Sequence, residues 1–213
     1  MIEHIRVLCH SCIKFEMGDI IYFDPYGIEE EYHDADFIFI THSHYDHFSP
    51  EDIAKIKKAN TKIVITTDSY PNVLKLDFAP YNIMEVEPGN KYQIPNTQIV
   101  FETIPAYNIE KPFHPKENDW VGYVLHLHGK RYYIAGDTDV TPESLQVQCD
   151  VAFVPVGGQY TMDSKQAAEL VNTIFPKAAV PTHYGAIVGT PQDAAQFRLC
   201  VNKDIAVMGD GSF

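Results

Sequence analysis

A continuous apolar run, Phe-Ile-Phe-Ile over residues 37–40, leads through Thr41 into His42-Ser-His44-Tyr-Asp46-His47. Such a run reads as a strand buried on both faces, the kind found inside a mainly parallel sheet. Three imidazoles and a carboxylate crowd the end of that strand. Imidazole nitrogens and carboxylate oxygens are the usual ligands of Zn²⁺ and similar borderline ions, so metal binding gives this cluster a purpose. A solvated polar loop would have no reason to sit at the rim of a buried strand. By composition alone H-x-H-x-D-H arises in such a chain with roughly one or two chances in a thousand. Residues i and i+2 leaving the strand can face one ion, while the next turn aims Asp46 and His47 at a second.

With 213 residues, 45% of them hydrophobic, the chain is long enough to bury a full core and is read as a single domain over 1–213. The N-terminus lacks a basic segment followed by a long apolar one, and no window approaches the roughly 18 apolar residues of a membrane span. The protein is therefore read as cytoplasmic. Four cysteines, including Cys9-x-x-Cys12, are too few for a disulfide scaffold. Placed in one strand-like segment, where residues three apart face opposite sides, Cys9 and Cys12 read as core thiols. A net charge of -13 excludes a broad phosphate-binding surface, so no nucleic-acid partner is expected. A small-molecule substrate is the expected partner, and even an anionic one is compatible, since a bound dication dominates its local field. The absence of a basic amphipathic segment argues against stable membrane association; a homo-oligomer is left open.

Along the chain, "HIRVLCHSCIKFE" and "DIIYFDPY" read as a hairpin turning at "MGD". Ser49-Pro50 opens a helix expected over "SPEDIAKIKKAN", and "TKIVITT" follows as a buried strand. "NIMEVEPGNKYQI" turns at Pro88-Gly89, "TQIVFETI" is a strand, and a hairpin turns about Gly129-Lys130. Residues 105–119 form a polar loop of a length often tied to function. The last third alternates helix and strand, with Thr141-Pro142 and Thr190-Pro191 repeating the helix start seen at Ser49-Pro50. Two packed sheets covered by helices are expected. No G-x-S-x-G elbow, P-loop or G-x-G-x-x-G competes with the metal reading.

Two further strand ends complete a pattern: Asp137 in "YYIAGDTD" and His183 in "AVPTHYG". With H-x-H-x-D-H before them, in this order, the chain resembles the metallo-β-lactamase-fold superfamily over nearly its whole length. The resemblance implies an α/β (α+β) fold, an αββα sandwich of two mixed β-sheets flanked by helices. It also implies His42 and His44 on one ion, Asp46, His47 and His183 on a second, and Asp137 bridging. The cofactor so implied is a divalent metal pair, two Zn²⁺ in the first instance, with Mn²⁺ or Fe²⁺ as alternatives. The implied activity is hydrolysis of a small ester, lactone or phosphodiester by a metal-bound hydroxide, with Asp46 both binding metal and orienting the hydroxide. The early "HSCIKFE…IIYFDPY" resembles the branch of small bacterial hydrolases that includes ascorbate-6-phosphate lactonase-like proteins.

One position departs from the pattern. Where the superfamily usually places a third histidine for the first ion, this chain has Asn108, an amide and a poorer ligand for Zn²⁺. His114, six residues on in the same loop, is the candidate to replace it. If it does not, the alternatives are a mononuclear-iron oxygenase or a non-catalytic metal-binding protein of the same fold. Of the remaining histidines, His126 and His128 read as a solvent face of one strand, and His10 is a candidate to line the cleft. Tyr160 and Tyr184 follow strand ends near the expected site and read first as packing residues.

Overall fold

The computed structural model describes residues 3–209. By its internal contacts the chain divides into two compact units, one running up to Val86 and the other starting at Glu87. Each unit is built on one mixed sheet.

The first unit holds β1 (Ile5–Cys9), β2 (Cys12–Met17), β3 (Asp19–Phe23), β4 (Ala35–Phe39), β5 (Lys57–Thr66) and β6 (Ile83–Val86), side by side in chain order. β1 to β3 form an antiparallel meander, and β3 to β6 run parallel. β4 lies between two parallel neighbours, which explains its unbroken apolar run: Ile38 and Phe39 are fully buried. The expected first hairpin is split by a second turn, at His10-Ser11. Cys9 and Cys12 face each other across it as paired residues of β1 and β2, so they do not lie along one strand.

α1 (Pro50–Ile56) starts as expected, with the Asp52 amide donating to Ser49 Oγ at 3.2 Å. The Asp52 carboxylate accepts from the Gly27 and Ile28 amides, which ties the helix to the loop after β3. The helix is shorter than its periodicity predicts, and β5 begins at Lys57. Tertiary anchors decide that boundary. Lys57 Nζ donates to the Leu76 and Asp77 carbonyls, Lys58 Nζ to the Asp36 carboxylate, and the Lys58 amide to Thr61 Oγ1. The core of this unit gathers Ile38 and Ile40 of the apolar run, Ile53 of α1, and Ile63 and Ile65 of β5. A short helix, α2 (Tyr70–Val73), precedes β6.

The Pro88-Gly89 turn does not close a hairpin: β6 pairs with β5, whereas β7 (Lys91–Gln93) pairs with β8 (Val100–Pro105). The second unit continues through β9 (Val121–Leu127), β10 (Lys130–Ile134), β11 (Val151–Pro155), β12 (Ala178–Thr182) and β13 (Ala206–Val207), in the order β13-β12-β11-β10-β9-β8-β7. The β9–β10 turn sits one residue earlier than expected, at His128-Gly129. Both residues have positive φ (50° and 71°), as a two-residue hairpin requires. His128 is thus a turn residue, and His126 pairs with Glu102 Oε1 at 2.8 Å; the two do not share a strand face.

α3 (Ser164–Ile174) carries a capping box in which Asp163 Oδ1 accepts from the Lys165 and Gln166 amides, and the helix ends at Phe175 before Pro176. α4 (Pro191–Cys200) opens at Thr190, whose amide and hydroxyl both donate to Asp193. "TPESLQ" makes only one tight turn at Ser144–Gln146, because Thr141 and Ser144 exchange side-chain bonds and close the segment on itself. Among the described residues, no helix is long and apolar enough to cross a membrane.

Candidate metal centre

Two groups of ligand-type side chains stand at strand ends, one group in each unit. In the first, His42, Asp46 and His47 are buried in the loop that follows β4, and His44 is half-buried. Their orientation starts from Asp24, a fully buried carboxylate just after β3, in a left-handed backbone conformation (φ 45°). Asp24 Oδ1 accepts from the Thr41 amide at 2.8 Å. Its Oδ2 lies 2.7 Å from Thr41 Oγ1, which donates to it, and 2.8 Å from His47 Nδ1. A carboxylate only accepts, so His47 carries its proton on Nδ1 and presents Nε2 as the lone-pair nitrogen.

The same bonds orient His42. Thr41 has one hydroxyl proton and gives it to Asp24. Its oxygen, 3.0 Å from His42 Nδ1, therefore accepts from that ring. His42 also presents Nε2, 3.1 Å from His44 Nδ1. Two nitrogens bound tetrahedrally to one Zn²⁺ stand about 3.3 Å apart, from Zn–N distances near 2.0 Å, so this pair fits a shared ion. Asp46 Oδ2 lies 3.6 Å from His47 Nε2 and 3.4 Å from His10 Nε2. His10 occupies the β1–β2 turn with φ 53° and is fully buried.

In the second unit the ligand-type residues are Asp137, His183 and His114, all buried. Asp137 follows β10, and its Oδ2 lies 2.9 Å from His183 Nε2 and 3.2 Å from His114 Nε2. His183 leaves β12 with φ 59°. Gly157, after β11, makes room for it: a Cβ there would overlap the His183 carbonyl oxygen and stand 3.3 Å from His183 Nδ1.

Asn108 and His114 have distinct parts. The Asn108 Oδ1 accepts from the His114 backbone amide at 3.1 Å, while its Nδ2 donates to the Tyr160 carbonyl at 2.9 Å. A backbone amide can only donate and a carbonyl only accept, so the side-chain amide has one allowed orientation. Its Oδ1 also lies 3.0 Å from His114 Nδ1, which must then carry the proton, leaving Nε2 directed at Asp137. The Asn108 oxygen is thus engaged in holding His114.

Asp139, the second acid of "GDTD", secures the loop that carries both residues. It accepts from the Ile109 amide and from Lys111 Nζ, and its own amide donates to the Tyr107 carbonyl. Nothing in the sequence pattern distinguished Asp24, Thr41, Asn108 or Asp139 as positioning residues. The one available signal is a short polar side chain in a segment that leaves a strand.

Tyr184, expected to pack, is buried in the second unit's core. The cysteines are free, and burial pushes the Cys12 and Cys149 thiols each up to about 12, so they stay protonated and unreactive.

A family model described as a beta-lactamase superfamily domain matches residues 18–184. A UPF0173 protein of Pyrococcus abyssi is 31% identical over 185 residues, covering 84% of this chain and 82% of the relative. A UPF0173 metal-dependent hydrolase of the same organism is 29% identical over 96% of this chain and 94% of its own length. A solved structure from Parabacteroides distasonis matches with a TM-score of 0.79 at 28% identity, over 96% of this chain and 90% of that one. These matches identify the two mixed sheets with flanking helices as the metallo-β-lactamase fold. The chain belongs to the β-lactamase superfamily and, within it, to the UPF0173 family.

Proposed function

We propose that the two units act as one domain and that their ligand groups hold two divalent ions for hydrolysis of a small ester, lactone or phosphodiester. His42, His44 and His114 would hold one ion, Asp46, His47 and His183 the other, and Asp137 would bridge them. One observation carries the reading: His42 and His47 in one unit and His114 in the other are each oriented by a buried partner so that Nε2 keeps its lone pair. Ligand imidazoles need that arrangement, whereas histidines that merely fill a core do not. Relatives named UPF0173 metal-dependent hydrolases, in Pyrococcus abyssi and Thermococcus onnurineus, support the same activity.

When bound, such ions supply Lewis acidity and a water made nucleophilic at neutral pH. The chain's own residues do the rest. Asp46 would give one carboxylate oxygen to an ion and orient a water with the other, and His10 Nε2 stands 3.4 Å from Asp46 Oδ2. Asp24 and Asn108 keep three imidazoles in the ligand tautomer.

The mononuclear-iron and non-catalytic alternatives rested on Asn108 standing in for a histidine. Its oxygen is committed to His114, which supports a set of three imidazoles and the dinuclear hydrolase. The likeness to ascorbate-6-phosphate lactonase-like proteins keeps lactones among the first substrates to try. Asp46→Ala and Asp137→Ala, each with wild-type circular dichroism, are expected to abolish turnover of an ester, lactone and phosphodiester panel by Zn²⁺- or Mn²⁺-loaded protein. Unchanged turnover in both variants would refute the proposal.

A further inference from the structure

The segment that presents His114 has a second face. Ile109, directly after Asn108, is 59% exposed, and Phe113, directly before His114, is 42% exposed. The Phe113 ring stands edge-on to the Tyr160 ring, with centroids 4.7 Å apart at 88°. Tyr160 is also the residue whose carbonyl receives the Asn108 amide. Two aromatic rings and a branched alkyl side chain are therefore fixed to the bonds that orient His114, and they are left partly open to solvent. Beyond His183 the chain continues as Ala186-Ile187-Val188, folded back by the Gly185 amide onto the Val188 and Gly189 carbonyls, so that ligand loop is apolar too.

Cationic groups are spent elsewhere. Lys111 donates to Asp139 Oδ1 at 2.6 Å and to the Thr161 carbonyl at 2.7 Å, and Lys116 to Glu143 at 2.9 Å and the Tyr107 hydroxyl at 3.2 Å. Residues 37–48, 135–141 and 182–189 contain no Lys or Arg. Sites that transfer phosphoryl groups commonly surround the anion with Arg or Lys as well as metal. Here the exposed side chains beside Asn108 and His114 are the apolar Ile109 and Phe113.

Resting on the hydrolase reading above, we propose that Phe113, Tyr160 and Ile109 form the specificity surface of the site and bind an aromatic or branched-alkyl group of an uncharged carboxylic ester or lactone. Hydrolysis adds one water across the acyl C–O bond: the hydroxyl goes to the acyl carbon, the proton to the released alcohol oxygen. Phosphodiesters are poor substrates on this account.

The test compares phenylacetyl and acetyl esters of one alcohol with bis(p-nitrophenyl) phosphate, using metal-loaded wild type, Phe113→Ala and Ile109→Ser. Binding of the non-hydrolysable phenylacetamide is followed separately through the fluorescence of Trp120, the sole tryptophan, whose ring centroid is 5.5 Å from that of His114. The phenylacetyl ester is expected to be favoured by about tenfold or more in kcat/KM, the scale of a single apolar pocket contact. Phe113→Ala should erase that preference through KM with kcat nearly unchanged, and should abolish the fluorescence response to phenylacetamide. Preference for the phosphodiester, or indifference to acyl size, would overturn the proposal while leaving the hydrolase reading in place. A Phe113-dependent response to phenylacetamide without turnover of any ester would uphold the apolar surface and sink the hydrolase reading. Neither turnover nor a response would sink both.

Discussion

Replacing Asp24 with Asn leaves the side chain's shape almost unchanged and removes an acceptor that two of the proposed ligand histidines depend on. Asn tolerates the left-handed backbone at φ 45°, so backbone strain does not enter. The amide oxygen can keep the Thr41 backbone amide, which places the NH₂ group at the position of Oδ2, toward Thr41 Oγ1 and His47 Nδ1. Two donors then face each other until His47 moves its proton to Nε2. The Thr41 hydroxyl, now receiving a bond, turns its proton toward His42 Nδ1 with the same result. Both rings lose the lone pair a metal needs. Hydrogen bonds to a charged group contribute about 1.5–3 kcal/mol each. With one of three bonds retained and two re-formed as neutral ones, the metal-free protein should lose about 2 kcal/mol, and its Tm about 4–8 °C at this chain length. Metal affinity should fall about 10–100-fold, the usual effect of removing the partner that orients a ligand imidazole. Zn²⁺ competition against a fluorescent chelator, with melting of the metal-free protein in parallel, measures both. If Tm drops as stated and affinity stays within about twofold of wild type, Asp24 only supports the fold and the tautomer argument is wrong.

Asn108→Ala should weaken Zn²⁺ binding about 10–100-fold in the same competition, whereas Asn108→Gln with wild-type affinity would show that the Tyr160–Asn108–His114 bonds need not be so close. Gly157→Ala places a methyl group against the His183 carbonyl and should cost about 1–3 kcal/mol, read as a fall in Tm, and shift the His183 imidazole resonances; unchanged NMR shifts would contradict the close approach. Burial raises the Glu102 pKa, but hydrogen bonds from Arg131 and His126 outweigh it and the net shift is downward; Lys177, with the Arg131 amide, lowers that of Asp150. A depressed carboxylate pKa contributes stability that is complete above the ordinary carboxylate range and is lost as pH falls from there through the lowered folded-state value. Metal-free protein should therefore melt progressively lower as pH drops through that range, and the double variant Glu102→Gln, Asp150→Asn should show a shallower slope; an identical slope would count against these pairs.

The sheet-end chemistry could be read from sequence because its signals are local. An apolar run that ends on H-x-H-x-D-H declares both a buried parallel strand and a group of ligand-type side chains at its end, and Asp137 and His183 stand in similar short contexts. The misplaced boundaries share another cause. The helix expected to Asn60 stops at Ile56 because lysines 57 and 58 find carbonyl and carboxylate partners distant in sequence. Pro88-Gly89 resembles a hairpin turn, yet its flanking strands pair with β5 and β8. The positioning residues were hidden for the same reason: Asp24 meets His47 from 23 residues away, and Asn108 reaches Tyr160 from 52. Only the fold brings such partners together. Even Asn108, which read as a departure from the ligand pattern, is intelligible once the bonds to His114 are seen.

The most direct test of the central claim is metal content per chain, by inductively coupled plasma mass spectrometry on untagged protein purified without chelator, beside His114→Ala. About two ions per chain, falling toward one in the variant, is the result predicted for a dinuclear centre in which His114 completes the first site. About one ion in both proteins would contradict it, and would mean that orienting His114 serves something other than metal.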